Sequence, residues 1–102
     1  MYTVSAYDNW EIPNPRFLDE GTFRTPAEAV AAAEAIIRKS LEDLHQENGT
    51  PNAKRLMSAY LSFGEVPSIF EDDGDPRVIF RPYVRVRRLI EQITGEALPA
   101  DA

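Results

Sequence analysis

The chain has no cysteine, one histidine and one tryptophan among its 102 residues. Without cysteine it has no disulfide, no thiolate chemistry and no zinc site of the finger type, and His45 alone cannot build a multi-histidine metal site. No stretch approaches the ~20 apolar residues of a membrane span, and the opening MYTVSAYDNW lacks the regions of a signal peptide. We therefore expect a cytoplasmic protein with no membrane partner, no metal and no other cofactor.

Basic residues are also scarce, since 11 Lys and Arg oppose 17 Asp and Glu and give a formal net charge of −6. A negative field repels nucleic acid, so no nucleic-acid partner is expected. The charge is uneven, because residues 77–102 carry 5 arginines against 3 acids. The length and a hydrophobic content of 43% predict a single domain over residues 1–95 and a disordered tail over 96–102.

Two strands are expected before the first helix. Apolar and polar residues alternate over residues 2–7, with Tyr2, Val4 and Ala6 on one face, which is typical of a strand covered mainly on one side. A loop with two prolines follows. The second strand lies within RFLDEGTFRT, where Gly21 predicts a bulge or a bend.

Three helices are expected, each with its own start signal. Thr25, Pro26 and Glu28 form a capping box with proline at the first helical position. Thr50–Pro51 repeats the cap signal, and Pro82 starts the third helix. The apolar stripes of the three helices contain, in order, Val30, Ala33, Ile37, Leu41 and Leu44; Leu56, Met57, Tyr60 and Phe63; and Tyr83, Val86, Leu89, Ile90 and Ile93. Gly49, Gly64 and Gly95 are expected to end the three helices.

The fold class that follows is α+β, in the order β-β-α-α-β-(β)-α. The segment VPSIF predicts a third strand, and residues 77–80 are either a fourth strand or an extended lead-in to the last helix. A small antiparallel sheet of three or four strands is then covered on one face by the three helices.

The stretch YDNW at residues 7–10 places an acid, an amide and the only tryptophan at the end of the first strand. One interpretation is a ligand site, in which Tyr7, Asp8, Asn9 and Trp10 stack on and hydrogen-bond a small molecule. In the other, the Asp and Asn open a turn through their own backbone and Trp10 folds back over the sheet edge. Common turn chemistry favours the second interpretation. No catalytic residue is assigned, because no nucleophile stands beside a base.

An arginine row is the main electrostatic feature. Arg81, Arg85 and Arg88 fall within about 60° of one another around the third helix, opposite its apolar stripe. Such a row can bind phosphates or an acidic partner, or it is a solvated helix face. No aromatic residue shares the helix face of these arginines and the chain is acidic, which disfavours nucleic-acid binding.

The acidic turn at residues 71–75 does not match a calcium loop. An EF-hand has glycine at position 6 and a bidentate glutamate at position 12. Aligning Gly74 with position 6 puts Ile69 at position 1 and Phe80 at position 12, and neither side chain ligates a metal. Asp-Gly between two apolar segments is typical of a hairpin instead, so no metal site is predicted.

Four segments together resemble a family of small uncharacterised bacterial proteins, over roughly residues 2–93: YTVSAYDNW, GTFRTPAEA, YLSFGEVPSIF and VIFRPYVRVRRL. The family has a strand ending in Asp-Asn-aromatic and an aromatic-Gly-x-x-Pro step before a final helix. In the family the Asp-Asn pair is followed by Phe and then acids, whereas this chain has Trp10 and a proline-bearing loop. The resemblance implies a fold and assigns no activity.

The leading hypothesis is a small non-catalytic bacterial cytoplasmic protein that acts by protein–protein interaction or by self-association as a homodimer. It rests on the lack of nucleophile, metal and phosphate-loop motifs. The contact surface would be the arginine row or the small residues on the outer face of the first helix, Ala31, Ala32 and Ala35, although alanine also serves helix propensity alone.

Two alternative functions remain open. The first is an acidic antidote or inhibitor that covers a basic protein with the acids of the turn, Glu71, Asp72, Asp73 and Asp75. The second is a small-molecule binding domain that uses the region of Asp8 and Trp10.

Overall fold

The computed structural model describes residues 1–48, 52–71 and 80–99. Along them run three strands and three helices: β1 Tyr2–Asp8, β2 Leu18–Phe23, α1 Pro26–Asn48, α2 Ala53–Phe63, β3 Glu65–Glu71 and α3 Pro82–Thr94. A one-turn 3-10 helix, Asn9–Glu11, follows β1. The α+β class and the small antiparallel sheet are confirmed, in the order β-β-α-α-β-α.

The sheet has the order β2-β1-β3, with β1 in the centre and both pairings antiparallel. The predicted bulge is present, since Val4 pairs with Gly21 whereas Ser5 pairs with Asp19, which leaves Glu20 as the extra residue. Gly21 has a φ of 132°, a conformation that glycine enters at little cost. The expected fourth strand falls outside the described residues except for Phe80, which is not in a strand.

The helix α1 begins with the predicted capping box and supplies much of the core. The hydroxyl of Thr25 accepts a hydrogen bond from the backbone N of Glu28 at 3.2 Å and donates one to the Glu28 carboxylate at 3.0 Å. The stripe of α1 packs on the sheet face that carries Val4 and Ile69. Its buried members are Ala29, Ala33, Ile37, Leu41 and Leu44, with Val30 partly buried beside them.

The start of α2 differs from the expected one. Asn52 is its N-cap, and the Asn52 side chain accepts hydrogen bonds from the backbone N of Lys54 at 2.9 Å and of Arg55 at 3.3 Å. The expected cap, Thr50–Pro51, lies outside the described residues.

The end of α2 is set by packing. Gly64 follows the last residue of α2, as expected, and has φ −74° and ψ 156°. A Cβ on Gly64 would lie 2.2 Å from Cδ2 of the fully buried Tyr60, which requires glycine there. The predicted burial of Phe63 is wrong. Its side chain is 63% exposed because it is the last residue of the helix, where the chain turns into β3.

The helix α3 begins at Pro82 as predicted, and Gly95 after it has the left-handed φ of 72°. Its buried residues are Val86, Leu89 and Ile90, whereas Tyr83 is 39% exposed. Among the described helices, none has the length and apolarity needed to cross a membrane.

Residues 96–99 lie against α2 and α3. Leu98 is buried, and its backbone N donates to the Glu91 carboxylate at 2.9 Å. The Glu96 carboxylate accepts a hydrogen bond from the backbone N of Ala53 at 2.8 Å, which places a negative charge at the N-terminus of α2. The first four residues of the expected tail are therefore held in place, and residues 100–102 lie outside the described part.

Replacing Glu96 by alanine should destabilise the protein by about 1 kcal/mol, the usual cost of losing a helix N-terminal acceptor and its charge. Glu96→Gln keeps a hydrogen-bond acceptor without the charge and should lose less stability than Glu96→Ala. Urea unfolding followed by circular dichroism measures both, with Glu42→Ala, at an exposed position inside α1, as the control. Equal stability of wild type and Glu96→Ala would show that the contact contributes nothing.

Candidate functional site

A cleft of about 720 Å³ lies between α1 and the end of the sheet where β1 stops and β3 begins. Two residues of the YDNW stretch, Asp8 and Trp10, line it. Two more lining residues, Phe63 and Glu65, flank Gly64 at the step from α2 into β3. The strand end that the sequence singled out is thus one wall of a concave site.

Strand register brings two carboxylates of the cleft together. Asp8 and Glu65 are direct partners in the antiparallel pairing of β1 with β3, so both side chains leave the sheet on the same face. That face is the one that Val4 and Ile69 present to α1, because positions an even number of residues apart along a strand share a face.

The opposite wall is one face of α1. Ile36, Lys39, Ser40, Asp43 and Leu44 line the cleft at the spacing of consecutive helical turns. The Ser40 hydroxyl accepts a hydrogen bond from the backbone N of Glu65 at 3.1 Å, which ties the helix to the start of β3. Glu20, the extra residue of the bulge in β2, adds a further carboxylate.

Trp10 and Phe63 are the two aromatic residues of the cleft, and both are open to solvent. Trp10 is 60% exposed and Phe63 is 63% exposed. The Trp10 ring is therefore not buried against the sheet edge. Asp8 also makes no capping hydrogen bond to the turn that follows it, so the expected turn chemistry is wrong for this residue.

Asn9 positions the two aromatic residues instead of lining the cleft. Its side-chain amide donates to the backbone O of Tyr60 at 2.9 Å, and its backbone N donates to the O of Gly64 at 2.9 Å. The turn that carries Trp10 is thereby joined to the end of α2, which carries Phe63. No local signal in the sequence indicates this contact, because it joins distant segments.

Tyr7 points away from the cleft, as alternation along β1 requires. Its ring centroid lies 5.2 Å from that of Phe17. Burial raises the pKa of the Tyr7 hydroxyl, and the hydrogen bond and charge interaction with Tyr83 raise the pKa further. Burial also raises the pKa of Tyr60, and charge interactions with Tyr83, Tyr7 and Glu65 raise it further. The Tyr60 hydroxyl donates to the backbone O of Glu65. These tyrosines are a structural cluster beside the cleft.

The arginine row is also separate from the cleft. Arg85 forms an ion pair with Glu34 of α1 at 3.4 Å and lies 5.9 Å from the ring centroid of Phe80. Arg81 and Arg88 are exposed, and none of the three lines the cleft. Binding of a partner by this row stays a prediction.

Charge in the cleft is strongly unbalanced, since four carboxylates line it with one ammonium group, that of Lys39. Burial raises the pKa of Glu65 first, then the nearby carboxylates of Asp8, Glu20 and Asp43 raise it, while Lys39 lowers it. In the described part of the chain, no three His, Cys, Asp or Glu side chains are placed to hold one metal ion. The cleft therefore presents a diffuse negative field to a larger group.

Replacing Glu65 by glutamine should stabilise the protein at neutral pH. Because the pKa of Glu65 is raised in the folded protein, the native state binds the proton of this carboxyl more tightly than the unfolded state does. The stabilisation of the native state by the bound proton is complete below the ordinary pKa of 4.5. It is lost as pH rises through the folded pKa. Glutamine removes that loss. Urea unfolding across pH should show the two proteins diverging as pH rises from the ordinary value.

The control is Glu42→Gln, which removes the same charge from an exposed position of α1 outside the cleft. An equal gain in both variants would mean that the effect is one of net charge alone. A loss of stability in Glu65→Gln would mean that the carboxylate is well solvated or paired.

Comparison of the chain with family models, curated proteins and solved structures finds no match. The resemblance to a bacterial family thus stays a prediction.

Most residues of the cleft were not predicted from the sequence. They are Glu20, Ile36, Lys39, Ser40, Asp43, Leu44, Phe63 and Glu65. Only strand register and the path of α1 bring them together, so no motif could have identified them.

Proposed function

We propose that the protein is a non-catalytic domain that binds another protein through the cleft. The observation that carries this proposal is the pair of exposed aromatic residues, Trp10 and Phe63, at one concave site. Aromatic side chains at protein interfaces are anchors that fill cavities of a partner or form the platform on which it packs. Other large apolar side chains of the described chain are exposed as well, Phe17 among them, but Trp10 and Phe63 are the two exposed aromatic residues that line the cleft. Two exposed rings at one concave site favour an interface.

The charge of the cleft favours a basic partner. Its carboxylates outnumber its single lysine by three, and the whole chain carries a net charge of −6. Complementary charge speeds association and selects the partner, and its effect falls as salt screens it. The acidic antidote hypothesis is thereby supported at a different surface from the turn at residues 71–75, most of which lies outside the described residues.

A non-catalytic role is supported by the chemistry of the lining residues. Ser40 is their only hydroxyl-bearing side chain, its oxygen accepts from the backbone N of Glu65, and no histidine is among them to activate it. The bacterial origin and the cytoplasmic location stay predictions.

A small-molecule binding domain is the second candidate. A volume of about 720 Å³ is within the range of roughly 300–1,000 Å³ typical of ligand-binding clefts. A small cation would meet the same rings and carboxylates as a basic segment of a protein.

Selection of a random peptide library against the folded protein tests the proposal. We expect enriched peptides that are rich in basic residues. Trp10→Ala or Phe63→Ala should weaken their binding by about 30-fold, as expected for an aromatic anchor worth about 2 kcal/mol. The controls are Ile12→Ala and Leu61→Ala, which remove exposed apolar side chains close in sequence to each ring but outside the cleft.

Enriched peptides that bind Trp10→Ala and Phe63→Ala as tightly as the wild type would contradict the proposal, as would the absence of any specific peptide. Sedimentation of the protein alone tests whether the partner is a second copy of this chain. Self-association that both cleft variants abolish would support binding through the cleft, and self-association that neither variant alters would place it elsewhere.

A further inference from the structure

We infer that the group recognised in the cleft is a lysine side chain presented by the partner, an inference that rests on the proposed function and names its ligand chemistry. Carboxylates alone would not specify such a group. Three further features of the cleft favour it: the apolar surface beside the carboxylates, the arrangement of the carboxylates and the cleft's own lysine.

The lining combines apolar and anionic surface. Ile36 and Leu44 contribute aliphatic surface from α1, and Trp10 and Phe63 add two rings. A lysine has a four-carbon apolar stem that packs on such surface while its ammonium group stays among charges and water. The faces of Trp and Phe rings also attract a cation electrostatically.

The arrangement of the carboxylates favours an ammonium group over a guanidinium group. Asp8 and Glu65 come from paired strands, Asp43 from α1 and Glu20 from the bulge, so the negative charge of the cleft is spread over several backbone segments. A guanidinium gains most from a coplanar carboxylate that it contacts with two parallel hydrogen bonds. An ammonium group is a compact charge on a flexible stem with three rotatable donors, which suits carboxylates reached from several directions.

Lys39 gives an internal example of the same chemistry. It lines the cleft, and its charge lowers the pKa of Glu65, so an ammonium group on an alkyl stem already lies within the field of these acids. Lys39 is within 4 Å of no described carboxylate. The cleft therefore retains unneutralised carboxylates that a second ammonium group would compensate.

The test uses three probes that share one backbone: Nα-acetyl-lysine N-methylamide, its Nε-acetylated form and the corresponding arginine compound. Trp10 is the only tryptophan, so its fluorescence reports binding at the cleft, and amide NMR shifts locate the bound probe. We expect saturable binding of the lysine compound and at least about tenfold weaker binding of the acetylated form, which loses the charge. Arginine should bind more weakly than lysine, and Asp8→Asn should weaken lysine binding several-fold while Glu42→Gln does not.

Several results would overturn the inference: no saturable binding of the lysine compound, equal binding of its acetylated form, equal or tighter binding of arginine, or shifts that lie outside the cleft. These results are distinguishable from failure of the proposed function. Enriched peptides that need Trp10 and Phe63 but contain no lysine would leave the proposed function standing while this inference falls. If neither library peptides nor the lysine compound bind, both are wrong.

Discussion

Gly64→Ala is expected to destabilise the protein by about 3 kcal/mol or more, a cost at the upper end of overpacking in a filled core. A Cβ at this position would lie 2.2 Å from Cδ2 and 2.5 Å from Cε2 of Tyr60. The Tyr60 ring cannot swing aside easily, because it is fully buried and its hydroxyl donates to the backbone O of Glu65. Urea unfolding monitored by circular dichroism should show the loss.

Gly95→Ala is the matched control for this prediction. Gly95 has a left-handed φ of 72°, but a Cβ there would meet no atom within 4 Å, so alanine should cost only about 1–2 kcal/mol of backbone strain. An equal loss in both variants would contradict the packing explanation. If Gly64→Ala does not fold, the double variant Gly64→Ala with Tyr60→Leu should recover folded protein, because the flat ring that clashes is removed.

The consequence of this contact extends to the cleft. Gly64 separates Phe63 from Glu65, and both line the cleft. Its carbonyl also accepts the hydrogen bond from the backbone N of Asn9. A displacement of the chain at Gly64 would therefore move an aromatic residue and a carboxylate of the site together, and the loss of stability should come with a loss of peptide binding.

Local signals were sufficient for most of the secondary structure. The Thr25 and Glu28 side chains form their capping contacts within one helical turn, so the start of α1 is visible in a four-residue motif. Gly21 marked the bulge because a positive φ limits the choice of residue. The apolar period of α1 and α3 gave most of the core, since one face of each helix is buried along most of its length.

The errors fall where tertiary contacts decide. Gly64 ends α2 as the sequence predicts, but the sequence does not show that the Tyr60 ring leaves no room for a Cβ at this position. Phe63 continues the apolar spacing of α2. At the last residue of a helix, however, this spacing does not show whether another element covers the side chain. The burial of Leu98 depends on its contact with α3, which composition near a chain end does not reveal.

For the same reason, the sequence predicted only part of the candidate site. The stretch YDNW was identified, but its strand alternation sends Tyr7 to one face and Asp8 to the other. The pairing of Asp8 with Glu65 is a matter of register between β1 and β3. A single sequence contains no direct signal for such a pair, so the acidic nature of the cleft followed only from the fold.

Asn9→Asp should destabilise the protein by about 2–3 kcal/mol at neutral pH, although the side chain keeps its shape. The amide donates to the backbone O of Tyr60 at 2.9 Å in a partly buried position. A carboxylate has no proton to donate, so it would place a negative oxygen against that carbonyl and add a charge next to Asp8. The Tyr60 carbonyl keeps its hydrogen bond from the backbone N of Gly64 at 2.8 Å, so the cost comes mainly from the introduced charge.

This cause predicts recovery of stability at low pH. Burial, the facing carbonyl and the neighbouring acid all raise the folded pKa of the introduced carboxyl above its unfolded value, so the native state takes up its proton more readily. The deficit relative to wild type should be largest at neutral pH and should shrink as pH falls through that raised pKa, since a protonated carboxyl can donate to Tyr60 again. Asn14→Asp, an exposed position in the same loop, is the control and should show a much smaller deficit. A deficit in Asn9→Asp that is independent of pH would contradict this explanation, because a cost that comes from the introduced charge must shrink when the carboxyl is protonated.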